Sequence, residues 1–152
     1  MKNKEIKIKL VKPTIEYKKK AIKYIKEHIR ARSPINGSSM LYSYLKDYEG
    51  WLKKIEKEKI AITTKEEVPS ETFFLVETTT DKIIGMINLR LDLNEKVKNS
   101  YASVGYGIRP KERNKGYATL QLKLLLEKIK EIGIEQTLIT CRENNIGSKK
   151  TM

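Results

Sequence analysis

The chain has 152 residues and a mass of 17.7 kDa, long enough for one domain with a core and too short for two. No apolar run approaches the roughly 20 residues that a membrane span requires, and the opening MKNKEIKIKL lacks the apolar stretch of a secretory signal. Cys141 stands alone, which excludes a disulfide framework and a thiolate zinc site and fits a reducing cytoplasm, and a single histidine, His28, excludes a histidine-rich metal site. The expectation is a cytoplasmic single domain over residues 1–152.

The net charge of +13 is unevenly placed. Residues 1–60 hold 17 Lys+Arg against 7 Asp+Glu, and the chain as a whole has 26 Lys but 6 Arg. Base readout favours arginine forks and single-strand binding favours aromatic platforms, and neither is clustered here. A solvated lysine surface is expected rather than a nucleic-acid face, although such a surface also steers anionic partners toward it.

In chain order, Ile6, Ile8 and Leu10 alternate with lysines and predict a strand, ended by Pro13, with Thr14 as cap of the next helix. Tyr17, Ala21, Ile25, His28 and Ile29 form a helical stripe, which makes His28 a packed residue rather than a catalytic one. Segment 33–39 reads as a loop. Leu41, Tyr44, Leu45 and Tyr48 predict a further helical stretch, and Asp47 caps a final piece carrying Trp51, Leu52 and Ile55. A loop over 61–70 precedes strands 72–78 and 83–91, joined as a hairpin by Thr79–Lys82. Asn88 and Arg90 share one face of the second strand at period two. Residues 92–100 read as a polar loop and 101–109 as a third strand, stopped by Pro110. Ala118, Leu122, Leu125, Ile129 and Ile132 make the clearest helical stripe, with Gly133 as terminator. Residues 137–141 predict a strand parallel to 101–109 across that helix. Hairpin strands plus one βαβ unit give a mixed sheet of the α+β type.

The informative stretch is Ser103–Thr119. Gly105 and Gly107 lie inside a strand, where glycine marks a bulge or the close approach of another backbone or a ligand. The loop after Pro110 opens directly onto the strong helix, whose first amides and dipole suit a phosphate. Gly116 leaves the backbone accessible, and Arg113 and Lys115 add charge. No GxxxxGK[ST] stands here, and the glycine pair lies in the strand rather than in the turn, so the P-loop and the dinucleotide fingerprint both fail.

Arg113-Asn114-Lys115-Gly116-Tyr117-Ala118 matches [QR]-x-x-G-x-[GA] after the hydrophobic-x-Pro step Ile108-Arg109-Pro110, and Asn145-Ile146-Gly147-Ser148 follows at the expected place. These residues resemble the acetyl-coenzyme A signature of the GNAT superfamily of N-acetyltransferases. FFLVE, GMINLRLDLN, GYGIRPKERNKGYA and LITCRENNIGSKK look most like a bacterial group within it, and the likeness covers essentially the whole chain. It implies acetyl-coenzyme A as cosubstrate, no metal, and transfer to a small-molecule or peptide amine, with no membrane or nucleic-acid partner.

The resemblance also implies roles. The amides of Arg113, Asn114, Lys115, Gly116, Tyr117 and Ala118, with Thr119, would hold the pyrophosphate. The backbone of Gly107, Ile108 and Arg109 would pair with the pantetheine arm, beside Asn145 and Ser148, and Lys149 or Lys150 would reach the outer phosphate. Ile108 would donate its N–H to the thioester oxygen. Glu77, Asn88 and Tyr106 are the candidates for proton handling, although Glu77 also reads as a solvated strand end. Family members often carry histidine at the positions of Leu91 and Ser103, and both are absent here. The family's last strand pair is also lacking, so strand 137–141 is expected to pair with a second copy through its open edge, unless the chain is a truncated product. Two other classes fit less well: an acyl-coenzyme A-binding module without turnover, and a basic nucleic-acid-binding protein.

Overall fold

The computed structural model describes residues 7–100 and 104–132. β1 (Ile8–Val11) buries Leu10 and leaves Lys9 in solvent, the alternation its sequence predicts. A 3-10 turn, Ile15–Tyr17, leads into α1 (Lys18–Arg30). Thr14 opens this turn through its carbonyl, which accepts from the Tyr17 amide and the Tyr48 hydroxyl, and its side chain makes no cap hydrogen bond. α1 buries Ala21, Tyr24, Ile25 and His28. Ile29, expected on that stripe, is 53% exposed, because at 3.6 residues per turn it stands about 80° round the helix from Ala21. Arg32 then takes a left-handed φ of 51°, and the Ser33 amide reaches back to the His28 carbonyl at 2.9 Å, closing α1 without a glycine.

The helix predicted from Leu41 is shorter than its pattern suggests. Leu41–Ser43 makes only a 3-10 turn, and Asp47, at φ −145°, interrupts the run. Its Oδ1 then accepts from the Gly50 amide at 3.1 Å and starts α2 (Tyr48–Lys59) afresh, as the capping argument requires. β2 (Ser70–Glu77) and β3 (Lys82–Arg90) form the expected hairpin. The polar segment read as a loop over 92–100 contains a short helix, α3 (Glu95–Ser100). Asn94 Oδ1 accepts from the Val97 amide at 2.8 Å, a cap that the segment's polarity concealed. β4 (Val104–Ile108) and α4 (Tyr117–Ile132) complete the described elements.

The sheet runs β1-β2-β3-β4 with every described pairing antiparallel. The predicted parallel strand 137–141, residues 101–103, Gly133, Cys141, Asn145, Ser148, Lys149 and Lys150 lie outside the described residues. No helix among the described residues is long and apolar enough to cross a membrane.

Alternation along the strands divides the core in two. Phe73, Leu75, Ile87, Leu89 and Ile108 pack against Leu122, Leu125 and Ile129 of α4. Phe74, Val76, Ile83 and Met86 face Tyr24 and Ile25 of α1 and Trp51 and Ile55 of α2. A bulge in β3 lets it serve both faces: Leu75 pairs with Gly85 and Val76 with Ile83, leaving Ile84 as the extra residue. Gly85 is required where it stands. A Cβ there would lie 2.6 Å from the Gly107 carbonyl oxygen and 2.8 Å from Nε2 of Gln121, a fully buried residue of α4 that no apolar stripe predicts.

On the α1/α2 face, Trp51 stacks on Phe74 at 5.8 Å between ring centroids, and Tyr17 meets Phe74 edge-on at 5.7 Å. Phe74 is fully buried between these rings. Phe74→Ala should therefore cost about 3–5 kcal/mol, read as a lower urea midpoint with an unchanged slope.

Candidate active site

β4 carries no side chain at Gly105 or Gly107, and the chain's own loop lies on it there. A Cβ on Gly107 would stand 2.9 Å from the Asn36 carbonyl oxygen, and one on Gly105 would stand 3.6 Å from the Gly37 amide. Gly37 itself has φ +77°, and a Cβ on it would lie 2.9 Å from the Gly105 carbonyl oxygen. Of the alternatives that strand glycines allow, the structure supplies the close approach of another backbone. Trp51 Nε1 holds the same loop by donating to the carbonyls of Ser38 and Ser39, each at 3.1 Å. The Tyr24 hydroxyl donates to the Gly107 carbonyl at 3.3 Å from below.

Past Ile108 the chain makes a tight sequence of turns. Pro110–Glu112 forms a 3-10 turn, Arg113 is extended, Asn114 takes φ 63° and Gly116 φ 84°. The Gly116 carbonyl accepts the Leu120 amide at 3.1 Å, so Gly116 caps α4 and the next residues begin the helix. A Cβ on Gly116 would meet nothing within 4 Å. Glycine is therefore demanded by its backbone angle and not by a crowded neighbour, and the approach to the first amides of α4 stays open.

Most of the charged side chains around this turn, Lys111 apart, are anchored. Arg113 Nε donates to the Ile108 carbonyl at 3.1 Å and Nη2 to Ser33 Oγ at 2.6 Å, so this arginine ties the turn to loop 33–39. Glu112 is buried and bonded to Lys82 and to Lys115, the latter at 3.0 Å. Those two lysines hold its carboxyl below the usual carboxylate range. Arg109 is 6% exposed, with its guanidinium 5.6 Å from the centre of the Tyr24 ring. Its Nε lies 3.1 Å from Glu27 Oε2, a contact without hydrogen-bond alignment. The Arg109 amide donates to the Ile84 carbonyl at 2.8 Å. In consequence, Arg109, Arg113, Lys82 and Lys115 are held by protein groups around the turn, and the first amides of α4 have no partner within the helix.

The candidates for proton handling are placed apart. Asn88 is buried opposite Gly105, and its Nδ2 donates to Thr72 Oγ1 at 3.0 Å and Ser70 Oγ at 3.3 Å. Tyr106, half-buried opposite Ile87, packs against the α4-side core. Glu77 sits at the β2–β3 turn, where its carboxylate accepts from the Thr79 amide at 2.8 Å and from the hydroxyls of Thr79 and Thr80. These bonds pull it down to about 2, so it braces the turn and accepts protons poorly. One polar chain escapes sequence reasoning because its members come from separate segments. Glu58 Oε1 accepts from Lys54 at 2.6 Å and Ser39 Oγ at 2.7 Å, its Oε2 from Ser70 Oγ at 3.4 Å, and Ser70 meets Asn88.

His28 is buried with Nδ1 2.9 Å from the Tyr24 carbonyl oxygen. Burial holds its imidazole below the usual histidine range, and the charges of Arg113 and Arg109 push the same way against its backbone hydrogen bonds.

The family model for the acetyltransferase (GNAT) domain matches residues 38–152. No curated protein matches the sequence. Among solved structures, the "putative ribosomal-protein-serine acetyltransferase from Vibrio cholerae" superposes with a TM-score of 0.59 at 17% identity, over 95% of this chain and 75% of that one. The microcin C7 self-immunity acetyltransferase MccE, in complex with acetyl-CoA and AMP, gives 0.58 at 17% identity, over 95% and 74%. Likeness at this identity carries the fold.

Two predictions follow from the geometry of loop and strand. Gly107→Ala drives a methyl group into the Asn36 carbonyl and should destabilise by about 1–3 kcal/mol, whereas Gly116→Ala meets only backbone strain of about 1–2 kcal/mol; denaturant unfolding compares the two. For His28, the unfolded imidazole titrates near ~6.5. Below that pH the unfolded chain takes up a proton that the folded chain resists, so stability should decline from about pH 7 to 5. In His28→Gln this decline should be shallower, as read from urea midpoints across that range.

Proposed function

Because the chain belongs to the GNAT acetyltransferase family, we propose that it moves an acetyl group from acetyl-coenzyme A to an amine of a small molecule or peptide. The observation that carries this reading is the turn at the head of α4: a left-handed Gly116 with open space above it, leading into a sixteen-residue helix. Such a helix start offers unpaired amides and about half a positive charge to a diphosphate. The residues present fit that group. The amides from Arg113 to Thr119 would hold it, and Arg113, braced on Ile108 and Ser33, would keep the turn in shape. The backbone of Gly107–Arg109, at the end of β4, would pair with the amides of the pantetheine arm.

The coenzyme would supply an activated thioester. The chain must supply a place for the acceptor and a route for its proton, since a free lysine-type amine has a pKa near ~10.4 and reacts only when neutral. Of the proposed proton-handling residues, Tyr106 has a titratable hydroxyl. Asn88 is an amide without basicity, so its part would be to orient the acceptor, and the role of Glu77 is that of a turn brace. Ile108 remains the proposed donor to the thioester oxygen. A second reading, an acyl-coenzyme A-binding module without turnover, is favoured by the chemistry of Asn88, an amide standing on the strand next to β4.

Calorimetry with acetyl-CoA tests the binding half. Wild type should bind, Gly116→Ala should bind more weakly, and Gly116→Val should lose about tenfold or more in affinity (about 1.4 kcal/mol). Unchanged affinity in Gly116→Val overturns the reading. Thiol release over a panel of amines then separates the two classes: turnover supports the transferase, and tight binding without turnover on any amine supports the binding module.

A further inference from the structure

α1 carries Lys19, Lys23, Lys26 and Arg30 at intervals of 4, 3 and 4 residues, so their side chains form one stripe along the helix. The stripe lies opposite the buried residues Ala21, Tyr24, Ile25 and His28. Lys111, from the 3-10 turn before the Gly116 loop, stands across from it and closes a groove of about 310 Å³ whose apolar lining is Ile22. None of these five cations has a carboxylate partner among the described residues; the ion pairs of α1 are Lys18 with Glu49 and Glu27 with Arg109. Glu27 is the single acid in the groove lining, and its carboxylate is turned to the buried Arg109.

A solvated helix face usually interleaves its charges, and α2 of this same chain does so, with Lys54 and Glu58 paired at 2.6 Å across one turn. In α1 each neighbouring pair on the stripe is like-charged and opposes helix formation. The stripe therefore works against the helix that carries it, and an external anion would relieve it.

We propose that this groove docks an acidic segment of a partner protein, an extended stretch with carboxylates at alternate positions. The stripe spans roughly 16 Å at 1.5 Å per residue, and successive cations on it are about 5–6 Å apart. An extended peptide places alternate side chains roughly 6.6 Å apart, so about three carboxylates would meet the stripe, with the intervening residues free to contact Ile22. Nucleic acid is the less suitable polyanion. Four of the five cations are lysines, and the groove lining contains no aromatic ring on which a base could stack.

The test uses fluorescence anisotropy with a labelled peptide of alternating Glu and Val, about eight residues long, and a labelled single-stranded oligonucleotide of equal charge, both at about 0.1 M salt. The triple variant Lys19→Gln, Lys23→Gln, Lys26→Gln is compared with wild type and with Lys46→Gln, Lys53→Gln, Lys57→Gln, which removes the same charge from exposed lysines elsewhere. The docking site is supported if the groove variant loses about tenfold or more in peptide affinity while the control loses less than about threefold. The groove variant should also melt at or above the wild-type temperature, since like-charge repulsion has been removed. Equal losses in both variants, absence of peptide binding to wild type, or tighter groove-dependent binding of the oligonucleotide would each overturn the proposal.

Discussion

Where the backbone of Asn36–Gly37 rests on Gly105 and Gly107, two chain segments approach more closely than any side chain would allow. This contact fixes the rest of the site. It presses loop 33–39 onto β4, and Trp51, seated on the sheet through its stack with Phe74, holds the same loop by its indole N–H. From the other direction Arg113 reaches Ser33 and the Ile108 carbonyl, so the loop, the end of β4 and the turn before α4 are tied together. Two glycines from distant parts of the sequence, Gly37 and Gly107, are needed for it, and Gly107 lies in a strand whose propensity it weakens.

The electrostatics follow from the same arrangement. Formal charges near the turn, Lys111 apart, have protein partners: Arg109 with Glu27, Lys82 and Lys115 with Glu112, Arg113 with a carbonyl and a hydroxyl. Their role is to shape the turn and to set a positive background under it. The start of α4 adds amides that lack a partner within the helix, and the left-handed Gly116 leaves open space beside them. The diphosphate site proposed there would depend on backbone geometry more than on any one side chain, which accords with the motif's insistence on glycine. The uncompensated lysines of α1 are of another kind, since they lack the partners that the cations of the turn possess.

Much of the fold is legible in the sequence because it rests on local periodicity. The inner positions Leu122, Leu125 and Ile129 mark α4, alternation and β-branched residues mark the β2–β3 hairpin, and Asp47 marks the start of α2. The Arg113–Ala118 motif locates the turn as well as its helix. Other features depend on contacts between remote segments, and no local pattern records them. Gly105 and Gly107 announce a close approach, but only the fold shows that Asn36–Gly37 makes it. Gln121 breaks the apolar pattern of α4, and its place is explained only by the missing side chain of Gly85 across from it. The chain of polar contacts from Lys54 through Glu58 and Ser70 to Asn88 joins α2, β2 and β3. The capping of α3 by Asn94 was masked by a segment whose residues are nearly all polar.

In the proposed function, the amides at the head of α4 grip the coenzyme's diphosphate. Amide chemical shifts recorded while coenzyme A is titrated into the labelled protein examine this most directly. The largest changes should fall on residues 113–119, with smaller ones along Gly107–Arg109. Saturable binding that leaves those amides in place and shifts others, such as the lysine face of α1, would contradict it.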